Sequence, residues 1–139
     1  MKTKNAAYWI STTVVCGFAA YASFAYLTRD AKIMGSFSSL GYPDYFPAIL
    51  GVAKILGILA LIFPGAPRVK EWAYAGFTFI FIGAACSHLA SGQDKAAVMP
   101  AANLVMLVIS YICRPATRRL AIESEAEIHP TPTSVSTIR

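Results

Sequence analysis

The sequence predicts an all-α polytopic membrane protein, a bundle of four transmembrane helices followed by a disordered cytoplasmic tail. Three observations support this class. The chain has 139 residues, of which 56% are hydrophobic and only 14% are charged, whereas soluble domains carry about 25% charged residues. Its apolar residues are concentrated in four long runs that together contain one charged residue. The runs lack the period-two alternation of β-strands, which favours helices over a barrel.

The four runs have the length of membrane-spanning helices. They cover residues 8–27, 46–63, 72–90 and 96–113. At helical rise each spans about 27–30 Å, close to the thickness of the hydrocarbon core. Pro47 and Pro100 fall in the first turns of the second and fourth runs, where the missing N–H costs least. We therefore expect a transmembrane domain over residues 1–116 and a flexible tail over residues 117–139.

The segments outside the runs differ in length and composition. The connection over residues 28–45 is long for a helical bundle, so it is a candidate functional segment. The tail is rich in Pro, Ser, Thr and Glu, and we expect it to be disordered from Glu127 onward. The first run also resembles a signal peptide, with Ala-Tyr-Ala at residues 20–22, but its apolar residues continue to Leu27, which favours a retained span.

The basic residues predict the orientation of the chain. Four spans place on one side Lys2, Lys4, Arg68, Lys70, Arg114, Arg118 and Arg119, and on the other side Arg29, Lys32 and Lys95. Because loops rich in Lys and Arg stay in the cytoplasm, both termini are predicted to be cytoplasmic. The net charge of +5 is therefore a topology signal, and we expect no nucleic-acid partner.

Lys54 is the single charged residue inside the four runs. A lysine in a membrane span costs about 2.5 kcal/mol or more, and such residues mark functional sites or paired structural positions. Its helical neighbours Gly51 and Gly57 are small enough to let another helix approach. The lysine is therefore predicted to face the inside of the bundle, either as a ligand-binding group or as a structural cation that fixes helix register.

Several residues are candidates to meet Lys54 in a pocket open to the outside. Counting from the span ends, Asn103 lies at a similar depth, His88 lies near the end of its run, and Tyr42 and Asp44 lie at the mouth. Glu71 is an alternative partner from the opposite end of the bundle. The candidate ligand-binding residues are thus Lys54, His88, Asn103, Glu71, Tyr42 and Asp44.

Other features predict packing or exclude particular chemistries. Gly17, Gly76 and Gly83 are predicted to be helix-packing positions. The three cysteines, Cys16, Cys86 and Cys113, form no C-x-x-C pair, so we expect small buried side chains and no metal site. The chain has no phosphate-binding glycine loop and no hydrolase or metalloprotease signature, so a stand-alone enzyme is disfavoured and catalytic residues stay unassigned.

Over residues 5–116 the sequence resembles the DoxX-like family of small bacterial membrane proteins. The resemblance is carried by residues 40–43 (LGYP), 51–57 (GVAKILG), 64–65 (PG), 71–77 (EWAYAGF), 83–85 (GAA), 87–88 (SH), 110–111 (SY) and 114–115 (RP). It implies a four-helix integral bundle in the bacterial inner membrane. The lysine, glutamate and histidine positions of the family match Lys54, Glu71 and His88, without a catalytic assignment.

The resemblance also implies a class of function. The family is named after a subunit linked to thiosulfate oxidation with quinone as acceptor, and other members are associated with redox-stress complexes or with the assembly of membrane proteins. We therefore expect a non-autonomous membrane subunit of a quinone- or sulfur-linked redox system, with quinone as the possible cofactor and other membrane proteins as partners. The alternatives are an assembly factor or scaffold, and a small-solute carrier or channel that would need to form a homo-oligomer.

Overall fold

The computed structural model of the chain describes residues 2–119 and contains no strand over that range. Its five α-helices are α1 (Lys2–Leu27), α2 (Ala31–Ser39), α3 (Phe46–Ile62), α4 (Pro67–Ala90) and α5 (Asp94–Ile112), followed by a 3₁₀ turn at Ala116–Arg118. The all-α prediction is confirmed. Most of the predicted flexible tail, including the disorder expected from Glu127, lies outside the described residues.

Each predicted span ends within one residue of the end of a helix, but α1, α4 and α5 begin earlier than predicted, α5 by two residues. α1 starts at Lys2 rather than residue 8, and α4 starts at Pro67 rather than residue 72. Hydropathy marks only the apolar part of a helix, whereas lysine and glutamate have good helix propensity and extend it into polar surroundings. Pro67 is a favourable first residue because its fixed φ suits a helix start.

Three helices, α1, α4 and α5, are long and apolar enough to cross a membrane. α3 is the most apolar helix by composition, but it has 17 residues and spans about 26 Å. The structure thus supports three spans by length, and the fourth, through α3, stays a prediction.

The long connection between the first two runs contains the short helix α2. Asp30 caps its start, since its Oδ1 accepts hydrogen bonds from the backbone N–H groups of Lys32 (3.0 Å) and Ile33 (3.2 Å). Gly41 follows the helix with φ of +80°, a left-handed conformation that glycine adopts without strain. The sequence analysis treated this segment as a connection and missed the helix, because nine residues are too few for a clear hydrophobic period.

The four long helices form a ring in which α1 packs against α3 and α5, and α4 packs against the same two helices. α2 lies at the end of the ring where α1 ends and α3 begins; we call this the α2 end, and the opposite end the Arg114 end. A Cβ on Gly51 would lie 3.2 Å from Leu27 Cγ, so α3 extends past the end of α1 by about 7 Å.

The interior of the ring contains polar side chains, and its outer surface is apolar. Thr12 and Tyr74 both hydrogen-bond the Ser110 hydroxyl inside the bundle, at 2.7 Å and 2.8 Å. Large apolar side chains such as Ile49, Leu56 and Phe79 face outward. This distribution is typical of a membrane protein, where lipid replaces water around the outer surface and polar groups must find partners inside.

Both glycines that flank Lys54 on α3 are close-packed, as predicted. Gly51 lies against the end of α1, and a Cβ on Gly57 would lie 2.7 Å from the Phe77 ring. The prediction for Gly17, Gly76 and Gly83 is wrong: a Cβ on any of them would meet nothing within 4 Å. They lie on outward faces, and the sequence alone does not distinguish a face that meets a helix from a face that meets lipid.

The prediction that the three cysteines are buried is correct for only one of them. Cys16 is buried in the central apolar cluster, whereas Cys86 is exposed on α4 and Cys113 is half-buried. Cys86 lies on the same outward side of α4 as Phe79 and Gly83, so its exposure follows from the orientation of that helix.

Candidate functional site

An open-sided cavity of about 450 Å³ lies at the α2 end of the bundle. All five helices contribute to it, and its walls are mostly apolar. The polar or titratable side chains that line it are Tyr26, Ser36, Tyr42, Lys54, Ser87 and His88. A concave apolar cavity with a few convergent polar groups is the usual form of a small-molecule site.

Lys54 is the cation of this cavity, and only 3% of its surface is exposed. Its Nζ donates a hydrogen bond to the Tyr26 hydroxyl (3.2 Å) and lies 4.5 Å from the centre of the same ring. Within residues 2–119 no carboxylate pairs with this ammonium. Tyr26 therefore compensates the buried charge only in part, through one neutral acceptor and the negative face of its ring.

An aromatic wall, formed by Phe37, Tyr42 and Phe46, closes the cavity at the α2 end. Phe37 of α2 meets the Tyr26 ring edge-to-face at a centroid distance of 5.1 Å. Tyr42 stacks on Phe46 with centroids 4.6 Å apart and planes inclined by 6°. These ring contacts join the segment that follows α1 to Tyr26 of α1 and to Phe46 of α3, while the residues of α2 stay exposed or half-buried.

Hydrogen bonds join α2 and the loop after it to the α4–α5 turn. The hydroxyls of Tyr42 and Ser87 share a bond of 2.6 Å. His88 Nδ1 donates to Gln93 Oε1 (3.0 Å), and Gln93 Nε2 donates to the Ser39 hydroxyl (3.4 Å). The half-buried imidazole of His88 thus belongs both to the cavity wall and to the contacts that hold the cover in place.

Pro100 adds an unusual backbone feature to the α5 wall. It lies in the second turn of α5 rather than the first, because the helix begins at Asp94 and not at residue 96. Proline has no N–H, so it cannot bond the carbonyl of Ala96, and both residues line the cavity. This proline therefore leaves a backbone acceptor of α5 without its normal helical donor.

The structure brings three of the six predicted site residues into one cavity: Lys54, His88 and Tyr42. Asn103 is buried one turn below the lining residue Met99, whose carbonyl accepts from its Nδ2 at 3.0 Å. Its Oδ1 is buried without a hydrogen-bond partner in the described part of the chain. Asp44 is exposed, and its backbone carbonyl accepts from Arg29 (3.3 Å).

Glu71 lies at the Arg114 end and pairs there with Arg114. The Tyr111 hydroxyl donates to the same carboxylate at 3.0 Å, and the Arg114 guanidinium lies 3.9 Å from the centre of the Tyr111 ring. These contacts give Glu71 a structural partner, so it is not the counter-ion of Lys54 in this structure.

Lys70 is a second buried lysine at the Arg114 end. Its Nζ donates to the backbone carbonyls of Ala60 (2.9 Å), Leu61 (3.4 Å) and Phe63. These are the free carbonyls at the C-terminus of α3, where a cation also complements the helix dipole. The sequence analysis counted Lys70 as a basic residue of a connecting loop, whereas it is a buried cap of a neighbouring helix.

Sequence reasoning missed Tyr26, Ser87 and Gln93 as members of the site. Tyr26 stands near the end of an apolar run, a position typical of an interfacial aromatic residue, so the sequence gives no reason to place it in a site. The depth estimate assumed that all spans begin at one level, but α3 extends past the end of α1, which places Lys54 level with Tyr26. The available signal was the pair of glycines beside Lys54, which indicated that another helix approaches there.

The comparison with protein families decides the classification. The family model described as the DoxX-like family matches residues 10–110, which is most of the chain. The chain belongs to the DoxX-like family. This match covers most of α1 and α5, all of α2, α3 and α4, and every residue that lines the cavity, and it confirms the predicted resemblance. Together with the apolar outer surface, it makes this DoxX-like protein a membrane protein in contact with the lipid bilayer.

Searches among curated proteins and among solved structures returned no match for this DoxX-like protein. Its cavity must therefore be interpreted from its own geometry. That geometry is a half-open apolar chamber with one buried ammonium at its inner side and hydroxyl and imidazole groups at its cover.

Proposed function

We propose that this DoxX-like protein is a membrane subunit of a quinone- or sulfur-linked redox system and that its cavity binds the quinone ring. The observation that carries the proposal is the buried ammonium of Lys54, which lines an apolar cavity and has no carboxylate partner among residues 2–119. A buried charge without a full complement of partners is costly, and a ligand oxygen would complete its coordination through a charge-assisted hydrogen bond.

The donor set of the cavity fits a quinone. A quinone is a flat ring with acceptor oxygens at opposite edges, and the cavity has donors on two sides. Lys54 and Tyr26 stand on the inner side, and Tyr42 and His88 stand at the cover. The flat walls formed by Phe37 and Phe46 suit an aromatic-like ring. In this arrangement Lys54 holds one oxygen, and the cover residues hold the other.

The residues of the chain have simple tasks in this proposal. The bound quinone supplies the electron-accepting chemistry, while Lys54 holds a proton at Nζ beside one ring oxygen. The apolar walls exclude water, which strengthens that hydrogen bond. His88 stands half-buried at the cover, between the cavity and the α4–α5 turn, and there its imidazole is suited to exchange protons with the aqueous side.

The chain is proposed to act with a partner because its thiols are not arranged for exchange. Cys16, Cys86 and Cys113 lie on different segments, and thiol–disulfide exchange usually needs a closely spaced pair. Electrons would therefore reach the cavity from a partner protein that carries its own redox group. This is the sense in which the subunit is non-autonomous.

Binding to the purified chain tests the site. The full chain in nanodiscs would be titrated with a short-chain benzoquinone, comparing wild type with Lys54→Met and with the exposed-lysine control Lys95→Met. We expect Lys54→Met to weaken binding by about tenfold or more, the effect of one charge-assisted hydrogen bond, and Lys95→Met to bind as wild type. Equal affinities in all three proteins would overturn the proposed site.

Native membranes test the role. With Lys54→Met as the sole copy, quinone-linked oxidation should fall while the abundance of the co-purifying oxidoreductase stays constant. The opposite pattern, lower abundance of the partner with normal turnover per complex, would indicate the assembly-factor alternative. Normal redox activity and normal stress tolerance in the variant would argue against the redox role.

A further inference from the structure

A second cavity, of about 240 Å³, forms an apolar groove between α3 and α4 on the outer surface. Its α3 side is formed by small and aliphatic residues at 53, 56, 57 and 60, and its α4 side by residues 69, 72, 73, 76, 77 and 80. It contains no charged side chain. We call it the α3–α4 groove.

The α3–α4 groove adjoins the Lys54 cavity. Ile80 lines both, and Ala53 faces the groove while the next residue, Lys54, faces the cavity. The groove therefore starts at the depth of the ammonium. From Ile80 to Trp72 it follows α4 for about 12 Å toward the Arg114 end.

Two glycines line the groove, and only Gly76 leaves space open on its outer side. A Cβ on Gly57 would meet the Phe77 ring at 2.7 Å, so Phe77 occupies the bundle side of that glycine. Gly76 has no atom within 4 Å of a Cβ position and leaves free space on the outer side. Trp72, which is 75% exposed, stands at the far end of the groove.

The Lys54 cavity is closed toward the α2 end and open toward the side. The aromatic wall and the Tyr42–Ser87 hydrogen bond close the α2 end. On the side, the lining residue Phe79 is 76% exposed, and the lining residue Gly83 is also exposed. The open side of the cavity therefore lies on the outer surface of the bundle, beside α4.

We propose that the α3–α4 groove holds the apolar tail of the ligand whose ring binds beside Lys54. The inference rests on the proposed function and makes its ligand more specific: a tailed, lipid-soluble quinone that enters from the bilayer side. The polar ring meets the buried cation, and the tail lies over Gly76 toward Trp72. A soluble, tail-less quinone would leave the α3–α4 groove to lipid.

Photolabelling tests the position of the tail. The probe is a benzoquinone with a decyl chain that ends in a diazirine, added to the full wild-type chain in nanodiscs. After illumination, mass spectrometry maps the labelled residues. We expect label within residues 53–60 of α3 and 69–80 of α4, suppressed by excess unlabelled decyl benzoquinone and lost in Lys54→Met.

A groove-filling variant supplies the second measurement. Gly76→Leu places a side chain in the groove where a Cβ meets no atom, and Gly17→Leu makes the same change on an open outward position of α1. We expect Gly76→Leu to weaken binding of the decyl benzoquinone by about tenfold, because the leucine side chain would occupy the space that the tail needs. Gly17→Leu should bind as wild type, and both variants should keep the affinity for the tail-less benzoquinone.

The outcomes separate the two proposals. If the tail-less benzoquinone binds in a Lys54-dependent way but the label maps elsewhere, or Gly76→Leu binds the tailed probe normally, the groove inference is wrong and the site stands. Label in the groove that persists in Lys54→Met and resists competition indicates annular lipid contact only and also overturns the inference. If Lys54→Met binds both the tail-less and the decyl benzoquinone as tightly as wild type, the proposed function fails and the inference fails with it.

Discussion

The ammonium of Lys54 and the phenol of Tyr26 form the buried contact on which the site depends, with 3.2 Å between Nζ and Oη and 4.5 Å between Nζ and the ring centre. The contact joins α3 to the end of α1. It satisfies one of the three donors of the ammonium and leaves the others for the cavity. The two parts of this contact, the hydroxyl and the ring face, can be removed separately.

Graded substitution of Tyr26 should separate those two parts. Tyr26→Phe removes the hydroxyl and is expected to cost about 1.5–3 kcal/mol of stability, as for hydrogen bonds to charged groups. Tyr26→Leu also removes the ring face and should cost about 2 kcal/mol more. Thermal unfolding in detergent checks the order, with the exposed Tyr21→Phe as control. Equal stabilities for the Phe and Leu variants would contradict a role for the ring.

The bond between Tyr42 and Ser87 is expected to hold the cover of the cavity closed. Tyr42→Phe keeps the stacking on Phe46 and removes the 2.6 Å hydrogen bond. Amide exchange of α2, measured by mass spectrometry, should then become faster because local opening costs less free energy. Tyr45→Phe, a change at an exposed neighbour, should leave the exchange unchanged. Equal exchange in wild type and Tyr42→Phe would show that other contacts hold α2.

The ion pair of Glu71 and Arg114 should stabilise the Arg114 end of the bundle. Glu71→Gln removes the negative charge beside the buried guanidinium and should cost toward the lower end of about 3–5 kcal/mol of stability, because the carboxylate is partly exposed. Arg114→Met should also destabilise the protein. The double variant should lose less than the sum of the two single losses, which a double-mutant cycle measures. Additive losses would mean that the two side chains stabilise the bundle independently.

Gly57 is expected to be intolerant of even a methyl group. A Cβ there would lie 2.7 Å from the Phe77 ring, so Gly57→Ala should destabilise the protein by about 1–3 kcal/mol through overpacking. Gly17→Ala, where a Cβ meets nothing within 4 Å, should instead gain about 0.5–1 kcal/mol of helix propensity. Denaturation of both variants side by side checks the opposite signs. The same sign for both would contradict the close contact of α3 with α4.

Much of the fold is predictable from the sequence because a segment in lipid must satisfy its backbone hydrogen bonds internally, which favours long helices. The four apolar runs correctly indicate α1, α3, α4 and α5, since long uncharged stretches have few alternatives to a helix. α2 was not predicted because it has only nine residues and its position depends on contacts with other helices. The glycines show the same limit: Gly57 packs and Gly76 does not, although both occupy similar apolar surroundings in the sequence.

The site was predictable in its central residue and not in its full membership. Lys54 stands out because a charge in an apolar run is expensive, whatever surrounds it. Its partner could not be predicted from depth, because the relative heights of α1 and α3 depend on how the helices pack. Lys70 and Arg114 illustrate the same point, since both appear in the sequence as loop cations and are buried in the structure.

The sequence by itself determined the membrane character and the four long helices, because these depend on composition, and its motifs determined the family. It also singled out Lys54, because a charge in lipid is costly. The tertiary structure alone decided that Tyr26 meets Lys54, that α2 lines the cavity, that Glu71 pairs with Arg114, and that the α3–α4 groove adjoins the cavity. The physical reason is that these contacts join residues far apart in the chain. Their formation depends on helix height and rotation, which side-chain packing across the bundle sets.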